Sequence, residues 1–266
     1  MESVKIASCM AENTETMCRS IAQYMQLRLN TRTEYVTGIP WQERERRFDR
    51  GEIQILWLCG WPYVEKTARA DKHLELLAVP VPIGTRYQGQ PVYFSDEVVR
   101  QDSQFTSFAD LRGSVWAYNE PRSHSGFNVV RAHLAGLGYR SGFFGAVVES
   151  GAHSQSVHMI LAGAVDSAAI DTTVLEWIIC QREKFTEQIR VIDTLGPSPI
   201  PPWVISTQMP GELRCAVREL LLGMHSDPLG RALLERGRVE KFVTGSDQQY
   251  DPIRRMARAA EQVLLA

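Results

Sequence analysis

The order of apolar and polar residues along the chain predicts alternating strands and helices. Near the amino terminus, the strand-like run "VKIAS" precedes a segment with apolar residues at helical spacing, and "IQILWLCG" is typical of a buried parallel strand. The pattern up to about residue 84 predicts a βαβαβ unit, which is half of a doubly wound sheet. The arginine-rich segment "WQERERRFDRGE" within it is interpreted as a solvated helix face.

A second βαβαβ pattern follows between residues 107 and 185, and its last predicted helix covers residues 172–185. The strand-like run "QPVYFSDEVVR" precedes it, and the extended run "QIRVIDTLGPSPIPPWVIS" follows it, because prolines exclude a helix there. The remaining tail is predicted to be helical. We therefore expect two α/β lobes, one formed by residues 1–88 and 200–266 and the other by residues 89–199. Lobes joined by two crossing strands close around a ligand by hinge motion.

Composition narrows the class of protein. The 266 residues carry a formal net charge of −2, so no global basic field indicates nucleic acid binding. No run reaches the ~18 apolar residues of a membrane span. The first residues lack a basic and then apolar signal pattern, so the sequence as it stands predicts a cytoplasmic protein, and a periplasmic one if a signal peptide has been removed. The five cysteines include no CxxC motif, and we interpret them as mostly buried free thiols.

Polar or aromatic side chains follow four of the predicted strands. In open α/β sheets, ligands bind beyond the carboxyl ends of the strands. Helix capping alone does not require polar or aromatic residues at the carboxyl ends of four successive strands. The candidate binding residues at these ends are Trp57, Trp61, Tyr63, Arg122, Ser123, His124, Ser125, Gly126, His153 and Asp171.

The segment "NEPRSHSGF", residues 119–127, lies where a predicted strand turns into a helix. The unpaired amides and the dipole of a helix start favour an anion, and serine hydroxyls can donate to its oxygens. Gly126 would let the backbone approach a ligand closely. The alternative is that Ser125 merely caps the helix.

Other candidates also have structural alternatives. His153 contacts a polar ligand or is a satisfied loop or core histidine. Asp171 is a helix N-cap or a carboxylate that faces the ligand, and the second role implies a ligand with a hydrogen-bond donor. Trp57 and Trp61 are core residues or walls of a binding cleft.

Catalytic and cofactor motifs are not supported by the sequence. "SHSGF" is not a GxSxG elbow, because Ser123 and Phe127 occupy the glycine positions. HExxH and GxxxxGK[ST] are absent, and "GLG" ends a helix instead of opening one. We therefore expect neither a metal nor a cofactor, and no catalytic residue is assigned.

From "VKIASC" to about "PPWVIS", the sequence resembles the phosphonate/phosphite/phosphate-binding family of periplasmic-type solute-binding proteins of ABC transporters. The most specific similarity lies in "PVYFSDEVVRQDSQFTSFADLRGSVWAYNEPRSHSGFNVVRAHL", and "GAHSQSVHMILAGAVDSAAID" is similar to a second family signature. The resemblance implies an α/β, two-lobed, type 2 periplasmic-binding-protein-like fold in which each lobe is a mixed sheet flanked by helices and a cleft separates the lobes.

The resemblance also implies a site and a function. It implies that Ser123, Ser125 and the backbone of Gly126 hold anion oxygens, with further contacts from Tyr93, His153 and Asp171. Arg122 and His124 depart from the family's small residues and make the turn bulkier and more cationic. The implied function is non-catalytic binding of a small oxyanion or organophosphonate for ABC-type uptake or sensing, with a transporter permease as partner and neither nucleic acid nor membrane insertion. The alternatives are an enzyme of cofactor biosynthesis on the same fold and a cytoplasmic ligand-sensing module.

Overall fold

The computed structural model describes residues 3–181 and 184–266. The chain divides into two compact units, each made from two chain segments. The first unit comprises Met1–Val92 and Pro199–Tyr250, and the second comprises Tyr93–Ser198 and Asp251–Ala266.

Strands and helices alternate through most of the described chain. The strands are β1 (Val4–Ser8), β2 (Thr33–Tyr35), β3 (Ile55–Trp57), β4 (Leu74–Pro82), β5 (Val92–Arg100), β6 (Val115–Tyr118), β7 (Ala146–Glu149), β8 (Ser167–Asp171), β9 (Ile189–Pro199), β10 (Trp203–Ser206) and β11 (Val239–Val243). The α-helices are α1 (Glu15–Leu29), α2 (Trp41–Asp49), α3 (Gly60–Thr67), α4 (Val129–Gly136), α5 (His153–Leu161), α6 (Thr172–Gln181), α7 (Gly211–Gly223), α8 (Pro228–Arg236) and α9 (Asp251–Ala260).

The sheet of the first unit has the strand order β11-β4-β10-β3-β1-β2. The β1 strand pairs in parallel with β2 and β3, as the βαβαβ pattern predicts. The β10 strand, which comes from the second chain segment of this unit, lies antiparallel between β3 and β4. The indole rings of Trp57 and Trp203 lie 5.4 Å apart between their centroids, and both belong to the core of this unit.

The sheet of the second unit has the strand order β7-β6-β8-β5-β9. The β6 strand pairs in parallel with β7 and β8, and β5 runs antiparallel to β8. Trp116 from β6 stacks on Phe144 at 5.0 Å between ring centroids, within the apolar core of this unit. The carboxyl ends of β6, β7 and β8 therefore lie at one edge of this sheet.

The carboxyl-terminal segment differs from the sequence prediction. Residues 251–266, which the predicted boundaries assign to the first lobe, belong to the second unit. The guanidinium group of Arg131 on α4 accounts for this placement, since it donates to the carbonyl oxygens of Ala260 at 2.6 Å and Val263 at 2.9 Å. The predicted helical tail also contains a strand, β11, which pairs with β4.

Other predictions on helices and cysteines have mixed outcomes. Arg46 and Arg47 of α2, and Arg50 directly after it, form ion pairs with Glu43 on the helix surface, as a solvated helix face predicts. The predicted helix over 172–185 is described as α6 over Thr172–Gln181, and residues 182 and 183 lie outside the described residues.

The five cysteines are free thiols, but the prediction of burial is wrong for Cys180 and Cys215, which face solvent on their helices. Within the described residues, no helix has the length and hydropathy of a membrane span.

Candidate functional site

The segment after β6 forms a tight, buried turn. Its residues His124–Asn128 adopt one turn of π-helix, which continues directly into α4. The Oγ atom of Ser123 accepts a hydrogen bond of 3.0 Å from the backbone amide of Gly126. Ser123 is thus the residue that caps this helix, whereas the sequence-based alternative assigned the cap to Ser125. The Gly126 amide is already bonded, so the expectation that it points at an anion is wrong for this structure.

The side chain of Ser125 meets a histidine from a different strand end. Its Oγ atom lies 3.2 Å from Nε2 of His153, the first residue of α5. Ser125 is 3 % exposed and His153 is 4 % exposed. The structure therefore brings together residues that are 28 positions apart in the sequence and that the sequence analysis selected independently.

His124 is fully buried and is held at both ring nitrogens. Its Nδ1 lies 3.1 Å from Nδ2 of Asn128, and its Nε2 lies 3.0 Å from Oγ of Ser198. An amide nitrogen can only donate, so Nδ1 accepts and Nε2 donates to Ser198. The aromatic ring of Tyr93, buried on β5, lies 6.5 Å from the His124 ring between centroids. His124 consequently links the turn to the end of β9.

Gly126 has a packing role that differs from the expected one. A Cβ atom at this position would lie 2.0 Å from Oδ1 of Asn119 and 2.9 Å from Cε1 of His153. The space that a side chain at Gly126 would fill is therefore occupied by these two residues. The glycine permits the close packing of Asn119 and His153 against the turn.

Asp171 lies at the end of β8, the strand that packs against the turn. Its Oδ1 atom accepts hydrogen bonds from the backbone amide of Thr173 at 2.8 Å and from the Thr173 hydroxyl at 2.7 Å. These bonds cap the start of α6, which agrees with the N-cap alternative. Burial raises the pKa of Asp171 to about 6, although the bonds from Thr173 oppose that change.

Burial also decides the charge of the two histidines. It lowers the pKa of His124 to about 3 and the pKa of His153 to about 4, because the cationic forms would lose their hydration. Both rings are neutral near pH 7. The expectation that His124 makes the turn more cationic is therefore wrong, and Arg122, which is half-buried at the start of the turn, is the cation there.

The aromatic candidates of β3 and α3 lie in the first unit. The Trp57 indole is buried and donates through Nε1 to the carbonyl oxygen of Pro201 at 3.0 Å. The Tyr63 hydroxyl donates to Asp247 at 3.0 Å, and its ring packs at a tilt against Tyr250, with 4.5 Å between ring centroids. The core alternative thus describes Trp57, and Tyr63 is buried as well. Trp61 is half-buried, and its role in a binding wall stays a prediction.

Three polar residues of this region were missed by the sequence analysis, of which Asn128 and Ser198 are buried and Asn119 is half-buried. Asn119 is the first residue after β6, so its position at a strand end was a usable signal. Asn128 lies four residues after His124, the spacing at which helical side chains meet. Ser198 lies in a proline-rich run 74 residues away from His124, and no local pattern indicates their contact.

Solved structures share this architecture. A binding protein component of an ABC phosphonate transporter from Pseudomonas aeruginosa superposes with a TM-score of 0.83 at 18% sequence identity, covering 97% of this chain and 86% of that one. PhnD1 from Prochlorococcus marinus, solved in complex with methylphosphonate, has a TM-score of 0.84 at 15% identity, with 98% and 99% coverage. A protein from Xanthomonas citri, solved bound to ATP, has a TM-score of 0.75 at 15% identity, with 98% of both chains covered.

At these identities the matches establish the fold, which is the two-lobed periplasmic-binding-protein-like α/β fold that the sequence predicts. The family model described as "ABC transporter, phosphonate, periplasmic substrate-binding protein" matches residues 6–250, which is most of the chain. The matched residues include both sequence segments that resemble family signatures, and with them the π-helical turn His124–Asn128. This chain therefore belongs to the family of periplasmic substrate-binding proteins of phosphonate ABC transporters.

Proposed function

We propose that this protein binds a small phosphorus oxyanion, namely a phosphonate, phosphite or phosphate, at the turn formed by residues 119–128. The observation that carries this proposal is the buried cluster of neutral hydrogen-bonding groups that follow two adjacent strands, β6 and β7, of one sheet. Ser123, Ser125 and His153 are each more than nine-tenths buried, and none of them is charged near neutral pH. A neutral, prebuilt donor cluster suits an anion that must leave water.

The turn and the residues packed on it supply several donors, because Ser125 donates to Nε2 of His153 and leaves the Nδ1 proton of His153 for a ligand. Ser123 Oγ accepts from the Gly126 amide, so the Ser123 hydroxyl hydrogen is available for a ligand. The first amides of a helix have no acceptor within it, which makes the backbone of His124 and Ser125 a second source of donors. Arg122, at the edge of the turn, supplies positive charge. Tyr93 and Asp171 are further proposed ligand contacts, although Asp171 also caps α6.

A binding role, and not catalysis, follows from the family, whose members are substrate-binding proteins of ABC transporters. We propose that the partner is the permease of such a transporter and that the protein acts in the periplasm, where its family acts. A role in ligand sensing is compatible with the same site chemistry. Copurification with a phosphonate permease and periplasmic fractionation distinguish transport from a cytoplasmic sensing role.

The direct test is Ser125→Ala, measured by calorimetric titration with phosphate, phosphite and methylphosphonate. Ser125→Ala removes the bond that keeps the His153 proton on Nδ1, where it can reach a ligand. One hydrogen bond to a charged group contributes about 1.5–3 kcal/mol, so the affinity should fall about 10- to 150-fold. Ser123→Ala should weaken binding similarly and also lower the free energy of unfolding by about 0.5–2 kcal/mol, because the cap is lost. Ser114→Ala is the matched control, since this buried serine precedes β6 at the opposite end of the strand.

The titrations can refute the proposed site and the proposed ligand class independently of each other. Unchanged affinity of both serine variants for a ligand that binds the wild type would refute the site. If none of the three oxyanions binds the wild-type protein, the ligand class is wrong while the fold and family stand.

A further inference from the structure

Of the buried polar atoms around the turn that have no hydrogen-bond partner among the described residues, two lie close together. They are Oδ1 of Asn119 and Nδ1 of His153. His153 itself is 4 % exposed, and its other ring nitrogen already contacts Ser125. Leaving a buried polar atom without a partner costs about 1–3 kcal/mol, so two of them at one place require an explanation.

The two atoms lie close together beside the Cα atom of Gly126. The point at which a Cβ atom of Gly126 would stand is 2.0 Å from Asn119 Oδ1 and 2.9 Å from His153 Cε1. The Cε1 atom lies between the two nitrogens of the imidazole ring, so the unpartnered Nδ1 is bonded directly to it. The amide oxygen and the imidazole edge therefore lie side by side over the backbone of the turn.

The chemistry of these atoms restricts what satisfies them. A side-chain amide oxygen only accepts hydrogen bonds, and so does a deprotonated anionic oxygen. An oxyanion without a proton would therefore bring two acceptors together. A P–OH group can donate to Asn119 and, at the same oxygen, accept from His153 when the imidazole carries its proton on Nδ1. That tautomer is the one in which Ser125 donates to Nε2.

We infer that Asn119 is a specificity-determining residue that selects oxyanions retaining one proton, such as hydrogen phosphonates and hydrogen phosphate, over aprotic anions of the same shape and charge. This inference rests on the proposed function, because it names the protonation state of the ligand at the same site. A site that is built to bond a hydroxyl rejects an analogue without one, since its buried polar groups then stay unsatisfied.

The test compares methylphosphonate with methanesulfonate by calorimetric titration at pH 5.5. Both ligands are then mainly monoanions of similar shape that differ in the P–OH group, and Asp171, whose pKa is raised to about 6, is mostly protonated. The wild type should prefer methylphosphonate by about 10- to 100-fold, the equivalent of one buried hydrogen bond. Asn119→Leu, which removes the acceptor, should lose most of this preference.

Asn119→Asp is the conservative variant, because it keeps an acceptor oxygen at the same position. It should bind both monoanions more weakly and keep the wild-type preference for methylphosphonate. If Asn119 had only a structural role, both variants would instead bind both ligands more weakly and by the same factor. Thermal denaturation checks that each variant is folded.

Two results would overturn the inference while leaving the proposed function intact. One is a wild-type protein that binds the two ligands equally, and the other is an Asn119→Leu variant that keeps the full preference. If methylphosphonate, methanesulfonate and phosphate all fail to bind the wild type, the proposed function fails and the inference fails with it.

Discussion

A buried carboxyl group in the second unit makes the stability of this protein depend on pH. Glu97 on β5 is 0% exposed, and its Oε1 atom accepts a hydrogen bond of 2.9 Å from the indole nitrogen of Trp116. Burial raises the pKa of Glu97 from 4.5 to about 8, and nearby Asp193 adds to the rise, while Trp116 and Ser167 oppose it.

The direction and size of the effect follow from proton linkage. Between pH 4.5 and pH 8 the folded protein holds a proton that the unfolded chain releases, so the free energy of unfolding falls as the pH rises. The fall is ~1.4 kcal/mol per pH unit in the middle of this window, and it amounts to about 3 kcal/mol by pH 7. Above about pH 8, the pKa of Glu97 in the folded protein, the free energy of unfolding no longer falls because of this group. Glu97→Gln keeps an oxygen for Trp116 and cannot ionise.

We therefore expect Glu97→Gln to be more stable than the wild type at pH 7 by up to about 3 kcal/mol and to match it near pH 4.5. Urea unfolding at pH 5, 6, 7 and 8, followed by tryptophan fluorescence and far-UV circular dichroism, measures how the free energy of unfolding changes with pH in the wild type and in Glu97→Gln. Glu261→Gln, at an exposed position of the same unit, is the control and should keep the wild-type slope. Parallel pH profiles for the wild type and Glu97→Gln would refute the reasoning.

Two further substitutions test the packing described above. Gly126→Ala should weaken oxyanion binding and lower the free energy of unfolding by about 1–3 kcal/mol, because its Cβ meets Asn119, whereas Gly136→Ala, with open space around its Cβ, should be neutral or stabilising in thermal denaturation. Lys66→Met removes the buried cation that binds two carboxylates of α2 and should cost about 3–5 kcal/mol in urea unfolding. Exposed Lys72→Met should change that value by less than about 0.5 kcal/mol, and equal losses in both lysine variants would contradict the buried ion cluster.

Local sequence was sufficient to predict the elements and several of the site residues. Alternation and helical spacing predicted the strands from β1 to β8 and the helices between them, because those signals depend on residues a few positions apart. The polar strand ends identified Ser125 and His153 as candidates, and the two meet because the carboxyl ends of adjacent parallel strands share one edge of a sheet. The serine-rich turn was recognisable for the same reason.

Tertiary structure decided what depends on partners distant in the sequence. The pattern of α9 is that of an amphipathic helix, but the pattern does not state which core receives its apolar face, and the structure packs it against α4 in the second unit. The insertion of β10 between β3 and β4 is likewise a long-range pairing. The neutral state of His124 results from burial, and its bond to Ser198 joins residues 74 positions apart. Burial and long-range contacts are properties of the folded chain, which is why strand ends were predictable and their charge states were not.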